Sequence, residues 1–122
     1  MTAWTLARAR HTYSVPFWSE GYFDINDNGE MCVLPQGPQG PSLPLPGLVE
    51  ECRAAGLKLP LLLRFSDILG DRLNKLQTAF AKAMEDLEYP GGYTAVYPIK
   101  VNQHLGVAGA LAAQGGEGSG LE

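Results

Sequence analysis

Basic residues are scarce in this chain. Nine Lys and Arg stand against thirteen Asp and Glu in 122 residues, and the formal net charge is −4. Scattered singly, the nine form no stripe that could neutralise a row of phosphates, so nucleic acid is not an expected partner. Long apolar runs are missing too. The longest fall well short of a membrane span, and the opening M-T-A-W-T-L-A-R-A-R carries arginines but leads into no apolar signal core. A soluble, cytoplasmic protein without a membrane partner is expected. Cysteine is limited to Cys32 and Cys52, with no Cys-x-x-Cys pair and no histidine at ligand spacing. Neither a zinc site nor a disulfide framework is signalled, and two free thiols are expected. What remains, 45% apolar and 18% charged residues, is ordinary globular composition. The length suits one modest domain with a small core, or a piece of a larger protein.

The stretch G-Y-F-D-I-N-D-N-G-E-M-C-V-L-P (21–35) places two short aromatic and aliphatic runs around Asp27-Asn28-Gly29. Residues of this kind reach positive φ cheaply, so a β-hairpin is expected. Before it, His11 to Trp18 reads as a further extended segment that Pro16 restricts to an edge or loop. Residues 35–47 hold five prolines and three glycines, which reads as a linker without a regular ladder or helix. A short helix over Leu48–Ala55 closed by Gly56 follows, then a compact apolar strand over Leu59–Phe65. With Ser66 as N-cap and Asp67 in the first turn, Leu69, Leu73, Leu76, Phe80, Ala83 or Met84, and Leu87 recur at three- and four-residue steps. That pattern predicts an amphipathic helix of about six turns, ended by Tyr89-Pro90-Gly91-Gly92. A strand over Tyr93–Gln103 and an Ala-rich helix over His104–Gln114 complete the order, the latter with Leu105, Ala108, Leu111 and Ala112 on one side. Strand, helix, strand, helix is the start of an α/β series with a parallel sheet.

Several groups look like sites without being convincing ones. Gly116-Glu117-Gly118-Ser119-Gly120 follows a helix, whereas a phosphate cradle follows a strand and opens a helix, so it reads as a helix-to-strand connection. His11 and His104 have no nucleophile or carboxylate at a telling spacing. Asp24, Asp27 and Glu30 lack the calcium-loop pattern and fit turn chemistry. Lys100 is different. It sits in Y-T-A-V-Y-P-I-K-V-N-Q, an apolar run suited to a strand buried on both faces, with Pro98 marking the approach to its C-terminal end. Ligands of α/β proteins bind at that end. Among Tyr97, Ile99 and Val101 the amine is expected to be partly desolvated, which disfavours its charged form and suits it to imine chemistry. The alternative is a lysine that merely ends a strand and reaches water.

Y-P-I-K-V-N-Q (97–103), preceded by L-L-L-R-F-S-D-I-L (61–69) and G-Y-F-D-I-N-D-N-G (21–29), closely resembles the N-terminal part of the biosynthetic arginine decarboxylases. These are pyridoxal-phosphate enzymes with an alanine-racemase-like barrel. The resemblance implies an α/β fold: the start of a (β/α)8 TIM barrel preceded by an N-terminal β-hairpin region, incomplete here. Residues 1–58 would be the hairpin region with its Pro/Gly-rich linker, and 59–122 the first strand-helix units of the barrel. It puts the cofactor on Lys100, with Tyr97, Asn102 and Gln103 lining or supporting the pocket. It implies L-arginine as substrate, agmatine and carbon dioxide as products, magnesium as a further cofactor, a role in polyamine synthesis and a homo-oligomer when complete. Gly120-Leu121-Glu122 resembles the start of the next barrel strand, G-L-E-A-G-S-K in relatives. The phosphate loop, the acid facing the pyridine nitrogen and the guanidinium contacts would lie downstream. There are departures: relatives often carry polar or basic residues after the motif, where this chain has H-L-G-V-A-G-A, and the proline-rich segment 35–47 and the missing remainder are larger ones. Two rivals are a decarboxylase or racemase of the same barrel class acting on ornithine or diaminopimelate, and a non-enzymatic interaction module with Lys100 merely exposed.

Overall fold

A computed structural model describes residues 3–114 and 119–121, the last three by their backbone. The expected connection through Gly116-Glu117-Gly118 and the terminal Glu122 lie outside the described residues. The chain divides into two compact units, Met1–Arg64 and Phe65–Glu122.

The first unit opens with two short helices, α1 (Leu6–Thr12) and α2 (Val15–Trp18). The extended reading of His11–Trp18 is therefore corrected. The Thr5 hydroxyl accepts the Arg8 amide at 3.2 Å and starts α1. Pro16 falls in the first turn of α2, where a missing amide hydrogen removes no intrahelical bond. The hairpin forms as expected from β1 (Phe23–Ile25) and β2 (Met31–Val33), antiparallel with Asp24 opposite Cys32. Its turn is held by Asn26, whose Oδ1 accepts the amides of Asn28 and Glu30 at 3.0 and 2.9 Å, while Gly29 takes φ +80°. An Asx-type turn of this kind replaces ladder bonds that the loop cannot make.

The proline-rich segment is more ordered than its composition suggests. Leu43–Pro44 forms β3, antiparallel to β2, with Cys32 opposite Pro44 and Val33 opposite Leu43. Proline is tolerated there because β3 is an edge strand, with no further neighbour among the described residues needing its amide. Helix α3 (Leu45–Ala54) starts three residues earlier than expected, with Pro46 again in a first turn. Leu59–Phe65, expected as a strand, pairs with nothing among the described residues. Its side chains still alternate, with Leu61, Leu63 and Phe65 half-buried and Leu62 and Arg64 exposed. The strand periodicity is present, and the partner that would give it a ladder is not among the described residues.

The core of this unit joins Ala9 of α1, Val15 of α2 and Ile25 of β1, with Leu6 and Met31 packed against it. Val33, with no exposed surface, Cys32, Tyr22 and Ser19 are buried as well. Both cysteines are free thiols. Arg10 ties α1 to the hairpin: its Nε meets Asp24 Oδ1 at 2.6 Å, and its guanidinium also donates to the Ile25 carbonyl. Burial works to raise the Asp24 carboxyl, but the hydrogen bond from Arg10, the Ile25 amide and the Arg10 charge together hold it below the usual carboxylate range. A depressed carboxyl stabilises the fold above its unfolded value, and that contribution is lost as pH falls through the folded one. Acidification below about pH 4 should therefore lower the stability of this unit, and Asp24→Asn should flatten that part of the profile. Because both side chains are partly exposed, the difference in urea unfolding between pH 7 and pH 3 is expected to stay near 1 kcal/mol. An unchanged acid limb in the Asp24→Asn variant would show the pair to be irrelevant.

The second unit begins with α4 (Ser66–Asp86), 21 residues. Its N-cap is Phe65 rather than Ser66 and makes no side-chain cap bond, while Asp67 lies in the first turn as expected. Lys75 pairs with Asp71 at 2.6 Å and Lys82 with Asp86 at 3.1 Å, each one helical turn apart. Of its apolar stripe, Leu69, Leu73 and Met84 are half-buried, whereas Leu76, Phe80 and Leu87 are exposed. Phe80 stacks on Tyr93 with ring centroids 3.9 Å apart, joining α4 to the approach of the next strand. Strand β4 (Ala95–Tyr97), helix α5 (Leu105–Gln114) and strand β5 (Ser119–Leu121) then form one β-α-β unit. Its two strands are parallel, Tyr97 opposite Leu121. The inward face of α5 is corrected in part: Ala108 is buried and Leu111 half-buried as expected, but Val107 is the other buried residue, while Leu105 is 83% exposed and Ala112 exposed. Mixed α/β content with a small antiparallel sheet is thus established.

Candidate functional site

Strand β4 is much shorter than the apolar run Tyr93–Gln103 suggests. Pro98 has no amide hydrogen to give, so the ladder stops at Tyr97 and the chain turns. The Val101 amide donates to the Pro98 carbonyl at 3.0 Å, closing a four-residue turn whose third residue is Lys100. Lys100 therefore stands just beyond the carboxyl end of a parallel strand, not within it.

The turn is strapped from outside. The Tyr97 hydroxyl, on the last strand residue, donates to the Asn102 carbonyl at 3.2 Å. Asn102 Oδ1 accepts the His104 amide at 3.0 Å, and His104 Nδ1 accepts the Gly106 amide at 3.1 Å. The His104 carbonyl takes the amides of Val107 and Ala108 at 2.9 and 3.1 Å, which makes His104 the residue that opens α5. Tyr97, Lys100 and Asn102 are thus gathered in six residues of chain, and Gln103 follows on an exposed stretch.

The enclosure expected around Lys100 does not form among the described residues. Lys100 is exposed and Val101 is 75% exposed, while Tyr97 and Ile99 are half-buried. Walls on the open side would have to come from other strands' loops, as they do where several strand ends converge. Among the described residues no group of three His, Cys, Asp or Glu could hold a metal ion, so magnesium finds no ligand set there. His11 lies in the last turn of α1 and Asp24 serves the Arg10 pair, away from any cluster of reactive groups. No helix among the described residues is long and apolar enough to cross a membrane. The residue that sequence reasoning undervalued is His104. Its signal was present in the pattern Asn102-x-His104 directly before a helix, a place where side-chain acceptors cap free amides.

Comparison with known proteins gives consistent results. Over all 122 residues the chain is 62% identical to the biosynthetic arginine decarboxylase of Xanthomonas campestris pv. campestris, matching 100% of this chain and 19% of that protein. Over 119 residues it is 60% identical to the biosynthetic arginine decarboxylase of Xylella fastidiosa, covering 98% of this chain and 19% of that one. The crystal structure of the biosynthetic arginine decarboxylase SpeA from Campylobacter jejuni superposes with a TM-score of 0.76 at 34% identity, covering 89% of this chain and 18% of its own. No protein-family model matches. The resemblance drawn from the three motifs is borne out along the whole chain, which spans about a fifth of the length of the curated relatives it matches.

Proposed function

We propose that this chain supplies the lysine-bearing part of a pyridoxal-phosphate-dependent enzyme that decarboxylates L-arginine to agmatine and carbon dioxide in polyamine synthesis. The observation that carries this is the placement of Lys100 in a strapped turn at the carboxyl end of a parallel strand, within a chain that matches arginine decarboxylases throughout. In this reading β4, α5 and β5 begin a (β/α)8 barrel, 59–122 form its first units, and 1–58 form the hairpin region before it.

The residues present fit the cofactor in one respect. Lys100 offers a primary amine that no hydrogen bond or ion pair occupies among the described residues, at the end of the strand where ligands of such folds bind. Lys100 would hold the cofactor covalently through Nζ and exchange it for the α-amine of arginine. Tyr97 holds the turn closed from the strand side, and Asn102 holds it from the helix side. When bound, pyridoxal phosphate supplies a conjugated ring that accepts the electron pair left on Cα as carbon dioxide departs. Binding of the phosphate and of the guanidinium falls to residues outside this chain in this reading. A cytoplasmic homo-oligomer is the form in which we expect the complete enzyme to work.

The test is agmatine formation from L-arginine by the complete protein, set against ornithine and diaminopimelate as competing substrates. Release of carbon dioxide from arginine alone is expected, and preference for either rival would reassign the substrate. Residues 1–122 by themselves should yield no agmatine, because a (β/α)8 barrel takes about 250 residues. If the complete protein shows no cofactor-dependent colour while Lys100 reacts freely with amine reagents, the interaction-module reading replaces this one.

A further inference from the structure

We propose that His104 is a positioning residue for Lys100, acting through the cap of α5 rather than by contact with substrate; this rests on Lys100 being the cofactor anchor. Lys100 is exposed in a turn of which only Ile99 is half-buried, so packing alone does little to fix it. Its fixed point lies at the other end of a short run of hydrogen bonds. Val107 and Ala108 are buried in the second unit, and their amides bond to the His104 carbonyl. The His104 ring accepts the Gly106 amide, so the residue satisfies two of the free amides at the start of α5, those of Gly106 and Val107, while its carbonyl also takes the first ordinary helical bond from Ala108. Its own amide is then held by Asn102 Oδ1, and the Asn102 carbonyl is held by Tyr97 at the end of β4. Both ends of the Lys100 turn are thereby pinned, one to the strand and one to the first turn of α5, where Val107 and Ala108 are buried. In this run of bonds, His104 is the link between the turn and that helix.

The ring can do this only as an acceptor at Nδ1, which places its hydrogen on Nε2. Its fit depends on Gly106. A Cβ at position 106 would meet His104 Cε1 and Nδ1 at 3.2 Å each, closer than ordinary contact. The imidazole lies over a helix position that has no side chain, and that is how it reaches the amide.

These relations give three variants that together separate positioning from stability. His104→Ala removes the acceptor. Gly106→Ala keeps the histidine and favours the helix, but pushes the ring off its amide. His104→Asn restores a short acceptor of the type that caps helices well. The experiment uses the complete protein stripped of cofactor and recharged with pyridoxal phosphate, reading the rate at which borohydride traps the cofactor on Lys100, mapped by peptide mass, beside the melting temperature. Trapping is expected to slow about fivefold in His104→Ala and to recover in His104→Asn, the size of effect that loss and return of a cap give. In Gly106→Ala it is expected to slow about twofold without a drop in melting temperature. Trapping at the unchanged rate in both Ala variants overturns the proposal, as does a slowing that His104→Asn fails to reverse. Trapping on a lysine other than Lys100 in the unchanged protein instead overturns the anchor assignment, and this inference with it.

Discussion

Lys100→Ala is expected to abolish the borohydride-reducible link to pyridoxal phosphate and to lower arginine decarboxylation by about three orders of magnitude or more. The size follows from the role: without the amine there is no covalent hold to exchange for the substrate, and a methyl group supplies nothing in its place. Lys100→Arg should fail nearly as badly, because it keeps the charge but offers a guanidinium that does not form an imine. That pair of variants separates covalent attachment from electrostatics. The chain's other lysines are poorly suited. Lys75 and Lys82 are engaged by Asp71 and Asp86 along α4, and Lys58 precedes the unpaired segment Leu59–Phe65 rather than following a strand. Activity within tenfold of the unchanged enzyme, or a label on Lys58, would refute the assignment.

The largest effect on stability is expected at Val33. It lies in the middle strand of the small sheet, opposite Phe23 on one side and Leu43 on the other, with no exposed surface. A unit of this size holds only roughly 3–10 kcal/mol of stability, taking about 0.05–0.15 kcal/mol per residue. Val33→Asp would set a carboxylate into that interior, at a cost of several kcal/mol even after relaxation. The β1–β2–β3 amides should then lose their protection from hydrogen exchange. Val33→Ala should cost about 1–3 kcal/mol and leave them partly protected. Full protection in the Asp variant would mean that the sheet stays closed around a carboxylate, and that the interior at Val33 is not the sealed apolar site its burial implies.

The parts legible in the sequence were those whose signals are local. Asp27-Asn28-Gly29 announced a hairpin because the turn chemistry is contained in five residues, and α4 announced itself through six apolar residues at helical spacing. The elements misread were those decided by neighbours or by position within a turn. Pro16 and Pro46 looked like interruptions, yet each stands in a first helical turn where it breaks nothing. Leu43–Pro44 became a strand because β2 had a free edge, and Leu59–Phe65 did not become one because no described strand lies beside it. The site was legible in a divided way. Composition and spacing brought Lys100 to the end of a strand, and the chemistry proposed for it rests on the resemblance of the motif's wording. The strap that holds it was hidden, since hydrogen bonds from Tyr97, Asn102 and His104 depend on side-chain angles that no periodicity reports.

The parallel pairing of β4 and β5 sets how such a centre can grow. Two strands that run the same way finish on the same side, so β5 ends at Leu121 on the side where the Lys100 turn already stands. Each later strand joined in the same sense would deliver its closing loop to that side again. Groups separated by hundreds of positions along the polypeptide could then meet around one amine with no long excursion of the backbone, and the order in which they are synthesised would place the amine there first.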